Sequence, residues 1–159
     1  MEHLDKVDHN AIRTNQAFIV GLLLLAFILN IPLLVTLVGL VMLSGSLLGR
    51  PGFLPVYRGI FLPMGWVKPH VVPDHPEPHR FAQTVGSVFL LAASLAFLAG
   101  AWGLGWVLAW IVIFLASLNL FAGFCAGCFV YYWLTRLNVP GFTQSPPPNT
   151  FPGMRPKAS

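Results

Sequence analysis

The most constraining feature of this sequence is a long apolar stretch, Ala17 to Leu48, that contains no charged residue. A single helix of this length would measure about 48 Å at 1.5 Å per residue, whereas the hydrocarbon core of a bilayer is about 30 Å thick. Asn30-Ile31-Pro32 divides the stretch, because proline suits the first turn of a helix and disfavours helix in the preceding residue. We expect two transmembrane helices, at about 12–29 and 32–48; the alternative is one long kinked helix.

Two further apolar stretches follow, at 81–100 and 105–133. The second is long and contains glycines at which it could break. The chain as a whole is 56% hydrophobic and 9% charged, whereas soluble domains contain about 25% charged residues. The acidic N-terminus lacks the basic region of a cleaved signal peptide, so the first helix should stay in the membrane. The predicted fold class is therefore all-α integral membrane, with four transmembrane helices arranged as two hairpins in one domain, residues 1–138.

The remaining segments are irregular. The central loop, 49–80, is rich in proline, which excludes a regular spanning helix. Its part 53–66 is apolar and aromatic but too short to span, which favours an interfacial or re-entrant segment. Residues 139–159 form a proline-rich polar tail, which we expect to be disordered unless a partner binds it.

The basic residues predict the orientation. With four spans, all nine of them fall on one side of the membrane, and the positive-inside rule then places both termini and the central loop in the cytoplasm. They are Lys6, Arg13, Arg50, Arg58, Lys68, Arg80, Arg136, Arg155 and Lys157. Because they are scattered singly and form no basic stripe, they do not indicate nucleic-acid binding.

The predicted spans contain no Asp, Glu, Lys, Arg or His between their flanking interfaces, which disfavours a pump or an ion-coupled transporter. The one chemically distinctive motif is Cys125-Ala-Gly-Cys128, which holds both cysteines of the chain. On a helix the two thiols would share one side, close enough for a disulfide or for one soft metal ion. Phe129 stands where covalent haem attachment would need a histidine.

Three interpretations of the cysteines stay open. The first is a redox or sulfur-transfer dithiol. Against it, the predicted position near the C-terminal end of a helix would raise the thiol pKa unless Arg80 or Arg136 lies nearby as a thiolate stabiliser. The second is a zinc site completed by His70, His75 or His79. The third is simple packing, which is common for free cysteines. A permanent structural disulfide is not expected on the cytoplasmic side.

Three short motifs resemble a known family. They are Val7-Asp8-His9-Asn10 with Arg13-Thr-Asn-Gln16, Pro78-His79-Arg80-Phe81-Ala82-Gln83, and Gly123-Phe124-Cys125-Ala126-Gly127-Cys128. Over about residues 5 to 135 the chain resembles the bacterial membrane family catalogued as domain of unknown function 4395. The resemblance implies a four-helix membrane unit, a location in the bacterial inner membrane, and a link to thioredoxin-like or sulfurtransferase proteins.

The sequence leaves two functions open. The favoured one is a non-enzymatic accessory subunit of a larger membrane complex, bound to neighbouring subunits and requiring no cofactor. The alternative is a thiol-redox or sulfur-relay protein, in which Cys125 and Cys128 form the dithiol and a thioredoxin-like or sulfurtransferase protein is the partner. Zinc is the only cofactor that the residues suggest.

Overall fold

The computed structural model describes residues 5–65, 68–147 and 150–155. Four predicted features therefore fall outside the described residues: the acidic start of the chain at 1–4, Trp66 of the interfacial segment, Pro148 of the tail and the basic residue Lys157. The elements in chain order are β1 (Asp5–Asp8), α1 (His9–Ile28), α2 (Pro32–Leu47), the short α3 (Leu54–Val56) with a π-helical turn (Tyr57–Phe61), β2 (Val71–Asp74), α4 (Pro76–Leu98), α5 (Trp102–Ser117) with a π-helical turn (Leu118–Ala122), and α6 (Ala126–Arg136).

The first apolar stretch forms two separate helices. α1 ends at Ile28, Asn30 takes a left-handed backbone conformation with φ of 53°, and Pro32 opens α2. Proline is suited to that first position because its missing N–H has no partner inside a helix. The turn joins α1 and α2 into a hairpin.

Within the described residues, three helical segments are long and apolar enough to cross a membrane: His9–Ile28, Pro76–Leu98 and Trp102–Ala122. α2 is also apolar but has only 16 residues. Large apolar side chains on the outer faces of these helices, such as Leu33, Leu98 and Phe114, are exposed. Such a surface fits a lipid environment.

α4 lies at the centre of the bundle, packed against α2, α5 and α6. The core contains fully buried Leu90 and Ala93 of α4 together with Val35 of α2 and Ala109 of α5. Small residues permit close helix approach: a Cβ on Gly105 would lie 2.6 Å from Cδ1 of the Phe97 ring. Close contact of this kind suits helices in lipid, where apolar burial alone gives little driving force.

A two-stranded antiparallel ribbon joins the N-terminus to the central loop. β1 pairs with β2 in the register Asp5 to Asp74 and Asp8 to Val71. The central loop, expected to be irregular, thus contains a strand, and its segment after Pro51 contains α3 and the π-helical turn. The ribbon sets the start of α1 beside the start of α4.

The long apolar stretch over 105–133 breaks at one of its glycines, as the sequence allowed, and its last part forms a separate helix. The π-helical turn ends at Gly123, whose φ of +67° is accessible to glycine at little cost. A new helix, α6, begins at Ala126. The cysteine motif therefore lies at the start of a helix and not near the end of one.

The tail also differs from the disordered segment predicted for it. Residues 150–155 pack against the break between α5 and α6: Phe124 forms a β-bridge with Met154, and the amide of Arg155 donates a 3.0 Å hydrogen bond to the carbonyl of Gly123. Phe142 packs against Phe81 and Tyr131. We refer to residues 150–155 as the strap.

Candidate functional site

Cys125 and Cys128 are joined by a disulfide at the N-terminus of α6, with their Cα atoms 5.2 Å apart. Cys125 is the N-cap residue, and its Sγ accepts a 3.2 Å hydrogen bond from the amide of Cys128. Amide donors and the positive end of the helix dipole favour negative charge at this sulfur. The sequence placed the motif near a helix C-terminus, which would disfavour a thiolate. Because the chain breaks at Gly123, the motif lies instead at a helix N-terminus, and this objection no longer applies.

His79, in the first turns of α4, lies beside this disulfide. Its Nδ1 is 3.5 Å from Sγ of Cys128, and its Nε2 is 3.0 Å from Oδ2 of Asp74. An ionised carboxylate can only accept hydrogen bonds, so Asp74 favours the tautomer of His79 with the proton on Nε2. Nδ1 then faces the sulfur with its lone pair, in position to accept a proton from a Cys128 thiol.

Asp74 is held by a second imidazole. Nε2 of His9 lies 3.1 Å from the same Oδ2, and the amide of His75 donates a 2.8 Å hydrogen bond to Oδ1. Burial by itself would raise the pKa of this carboxyl group. The contacts with His79 and His9 outweigh burial and hold the pKa of Asp74 well below its usual range. Asp74 is therefore a buried carboxylate at neutral pH.

Asp8 positions His9. Its Oδ1 caps α1 by accepting the amides of Asn10 (3.0 Å) and Ala11 (3.4 Å), and it also accepts the amide of His70 (3.1 Å). Its Oδ2 accepts the hydroxyl hydrogen of Tyr57 at 2.8 Å. Burial and then the carboxylate of Asp8 raise the pKa of Tyr57 to about 12. This cap fixes the first turn of α1 against the central loop.

A glycine sets the distance between α6 and α4. A Cβ on Gly127 would lie 2.6 Å from Cα of Ala82, so no larger residue fits without displacement of a helix. Gly127 immediately precedes Cys128, and Ala82 lies one turn after His79. The close approach therefore positions the imidazole relative to the disulfide.

The strap covers the disulfide turn. The amide of Cys125 donates a 2.7 Å hydrogen bond to the carbonyl of Gly153, and the guanidinium of Arg155 donates to the carbonyl of Asn119 at 3.3 Å. A small space between strap, disulfide and imidazoles is lined by His9, Asp74 and Tyr132 among others. Cys125 and Cys128 are consequently only 5% and 3% exposed.

A larger cavity of about 290 Å³ also borders Cys125. Asn15 and Gln16 of α1 and Gln83 of α4 contribute to its wall, and so do three arginines, Arg50, Arg58 and Arg80. His79 also borders it. Cys125 thus borders both the small space beneath the strap and a larger, partly open cavity whose mainly apolar wall carries charged and amide groups.

Neither predicted thiolate stabiliser, Arg80 or Arg136, forms a described contact with the cysteine pair. The guanidinium of Arg80 donates a 3.2 Å hydrogen bond to the carbonyl of Ser46, near the end of α2, although the side chain also borders the large cavity. Arg136 is the last residue of α6, about 16 Å along the helix from Cys125 at 1.5 Å per residue. Arg136 is thus not brought to the cysteines.

Of the possible zinc ligands, the structure groups three: ligand atoms of His79, Cys125 and Cys128 all lie within 4.8 Å of one another. The other two histidines do not join this group. His70 is exposed and contacts Asp8 and His9 through its backbone, while His75 is buried at the start of α4 with no hydrogen bond from its Nε2 to a described residue. A tetrahedral structural zinc site would need a fourth ligand.

Sequence reasoning missed His9 and Asp74. The sequence feature that could have drawn attention to His9 is its place directly after the helix-capping Asp8. For Asp74 the feature is its position just before the histidine-rich start of α4. Neither points to the cysteines without the pairing of β1 with β2, which is a long-range contact.

Fold and site together define a helical protein with membrane-type helices and a helix-capping cysteine pair, beside which lie a partly buried imidazole and a buried carboxylate. The chain belongs to the family described as a domain of unknown function (DUF4395), which matches residues 7–136. All three motifs that carried the resemblance lie in this range, and the structure brings a residue of each, His9, His79 and Cys128, into one cluster. No curated protein and no solved structure matches the chain.

Proposed function

We propose that this protein is a membrane thiol-disulfide redox protein whose Cys125–Cys128 pair exchanges two electrons with a soluble thioredoxin-like dithiol protein. The observation that carries the proposal is the contact of His79 with Cys128, opposite a Cys125 that caps a helix. This arrangement supplies what exchange requires: a sulfur at which thiolate is favoured and a proton acceptor for its partner.

The reaction follows from these positions. In the direction of reduction, a thiolate of the partner attacks Sγ of Cys125 and the Cys125–Cys128 bond breaks. The leaving Cys128 thiolate then takes the Nδ1 proton of a His79 imidazolium, which becomes the neutral imidazole with its proton on Nε2. A mixed disulfide between Cys125 and the partner results. The partner's second thiolate then attacks the partner's own sulfur in that bond and releases Cys125 as a thiolate. The partner becomes a disulfide, and this chain becomes a dithiol.

Asp74 acts as a positioning residue in this scheme. It holds the Nε2 proton of His79 and stabilises the imidazolium from which Nδ1 donates, as carboxylates do for histidines elsewhere. His9 contacts the same carboxylate oxygen and keeps it in place.

We also propose that α2 spans the membrane, which gives four spans with both termini and the central loop in the cytoplasm. α2 is apolar, about 24 Å long at 1.5 Å per residue, and extensively packed against α4. The one-sided distribution of basic residues supports this orientation. The family resemblance suggests a bacterial inner membrane. A reducing cytoplasm suits a disulfide that cycles, and not a permanent one.

The test is a redox titration of the full-length protein in a neutral detergent, with dithiothreitol as the redox couple and differential alkylation followed by mass spectrometry as the readout. We expect reversible conversion between disulfide and dithiol, and reduction by purified thioredoxin. The variant Cys128→Ser should trap a mixed disulfide on Cys125, whereas Cys125→Ser should trap none.

Two results would contradict the proposal. Cysteines that stay reduced at every potential, with a larger membrane complex copurifying, would favour the accessory subunit predicted from the sequence. One zinc ion bound per reduced chain, released on oxidation, would indicate a metal site at His79, Cys125 and Cys128 instead.

A further inference from the structure

We infer that the arginine-lined cavity beside Cys125 binds a small carboxylate-bearing disulfide or thiol, the second substrate of the redox pair. This inference rests on the proposed function and adds the substrate class. The cavity, of about 290 Å³, is close to the lower end of the size range of small-molecule sites, about 300–1,000 Å³. Its wall includes Cys125, so a bound molecule would contact the residue whose sulfur reacts.

The charge of the wall argues for an anion. Arg50, Arg58 and Arg80 border the cavity, and Asp8 supplies the single carboxylate that the described residues contribute to its wall. Among the described residues, no carboxylate forms an ion pair with any of these arginines, and the oxygens of Asp8 already accept hydrogen bonds from three backbone amides and Tyr57. The arginines therefore keep donors for a ligand, and guanidinium groups pair with carboxylates in a two-pronged geometry.

The neutral polar groups of the wall fit a substrate with peptide-like character. Gln16 offers an amide side chain, while Gln83 and Asn15 are partly engaged: Gln83 donates to the carbonyl of Met42 at 2.8 Å, and Asn15 accepts the amide of Phe53 at 2.9 Å. Apolar Ile12 and Leu54 complete the wall. A small thiol with one or two carboxylates meets both kinds of surface.

The reaction of the reduced chain with a small disulfide conserves atoms and electrons. The reduced chain attacks a small disulfide RSSR with the Cys125 thiolate, which forms a mixed disulfide Cys125–SR and releases RS⁻. The Cys128 thiol gives its proton to Nδ1 of His79 and its sulfur attacks Cys125, which reforms the Cys125–Cys128 disulfide and releases a second RS⁻. Two electrons pass from the chain to RSSR, and the thioredoxin-like partner restores the dithiol.

The test compares thiols of different charge as reductants of the disulfide in the full-length protein in neutral detergent. The probes are mercaptosuccinate with two carboxylates, 3-mercaptopropionate with one, uncharged 2-mercaptoethanol and cationic cysteamine. Each rate is divided by the rate of the same thiol with hydroxyethyl disulfide, which removes its intrinsic reactivity. We expect the corrected rate to rise by about tenfold from the neutral to the doubly charged probe, to saturate with mercaptosuccinate, and to be inhibited by succinate.

Arg50→Gln and Arg58→Gln should each remove most of this preference for charged thiols. The matched control is Lys68→Gln, which removes an exposed charge of the same loop that does not border the cavity. Equal corrected rates for all four probes would overturn the inference and leave the redox function standing. No reduction by any probe would overturn both.

The inference would also be overturned if Lys68→Gln reduced the charge preference as much as the arginine variants do. The preference would then come from the general positive potential of this face of the protein and not from the cavity. The measurement is repeated in nanodiscs of neutral and of anionic lipid. If anionic lipid abolishes succinate inhibition, lipid headgroups occupy the arginines, and the small-molecule site is refuted.

Discussion

Nδ1 of His79 lies 3.5 Å from Sγ of Cys128, and the opposite nitrogen of the same ring lies 3.0 Å from a carboxylate oxygen of Asp74. The imidazole thus connects the second cysteine to a buried negative charge. A packing role for the cysteines would not require this alignment.

The first prediction concerns His79. His79→Asn should slow reduction of the disulfide by thioredoxin by about 100-fold at neutral pH, because the leaving Cys128 thiolate loses its proton donor. Quenched-flow alkylation measures the rate. His70→Ala is the control, since the exposed His70 contacts its neighbours through the backbone. Equal rates in wild type and His79→Asn would refute the role of the imidazole.

The second prediction concerns Asp74 and pH. Because the fold lowers its pKa, the carboxylate stabilises the protein above its ordinary pKa of about 3.9, and this contribution is lost as the pH falls below that value. Asp74→Asn should therefore cost about 2 kcal/mol at pH 6 and distinctly less at pH 3. Thermal unfolding in detergent at the two pH values provides the comparison.

Glu77→Gln is the matched control for Asp74, since it removes an exposed carboxylate that accepts one hydrogen bond, from Tyr131. The loss of unfolding free energy in Glu77→Gln relative to wild type should change less between pH 6 and pH 3. A pH-independent cost for Asp74→Asn would mean that the contacts with His79 and His9 do not stabilise the charged form.

The third prediction concerns Gly127. Gly127→Ala should destabilise the protein by about 1–3 kcal/mol, because the added methyl group meets Ala82 and must push α6 away from α4. Exchange at the disulfide should slow in parallel, since His79 and Cys128 separate. Gly103→Ala, where a Cβ meets nothing within 4 Å, should leave both quantities unchanged. Normal exchange in Gly127→Ala would show that the helix spacing does not matter.

The fourth prediction concerns the strap. A Cβ on Gly153 would lie 2.9 Å from the carbonyl oxygen of Cys125 and from Cβ of Phe129, so Gly153→Ala should lift the strap. Alkylation of the reduced cysteines should then become about 3- to 10-fold faster, because they are covered in the wild type. Gly141→Ala is the control. It also places alanine at a positive φ, but a Cβ there meets no atom, so it shows the effect of backbone strain without that of a steric contact. An equal increase of the alkylation rate in both variants would show that the strap does not cover the cysteines.

How far the sequence predicts this structure depends on the range of the interaction. The hairpin at Asn30-Ile31-Pro32 is local turn chemistry, and the membrane-type helices follow from apolar runs, so both can be predicted. The break at Gly123 is not evident from hydropathy, because Leu118 to Cys128 reads as one apolar stretch. The sequence predicts the cysteine pair and offers His79 only as a metal ligand. The links to Asp74 and His9 depend on strand pairing between distant segments, which no local pattern encodes.

The site is assembled from four separate segments, at 5–9, 74–79, 125–128 and 153–155. As the chain emerges from the ribosome, the ribbon of β1 and β2 can bring His9 to Asp74 and His79 before either cysteine has been made. The strap is the last of these segments to be synthesised. Newly made cysteines therefore meet a finished imidazole and carboxylate pair but no cover, so the growing chain passes through an interval in which its thiols are at their most accessible.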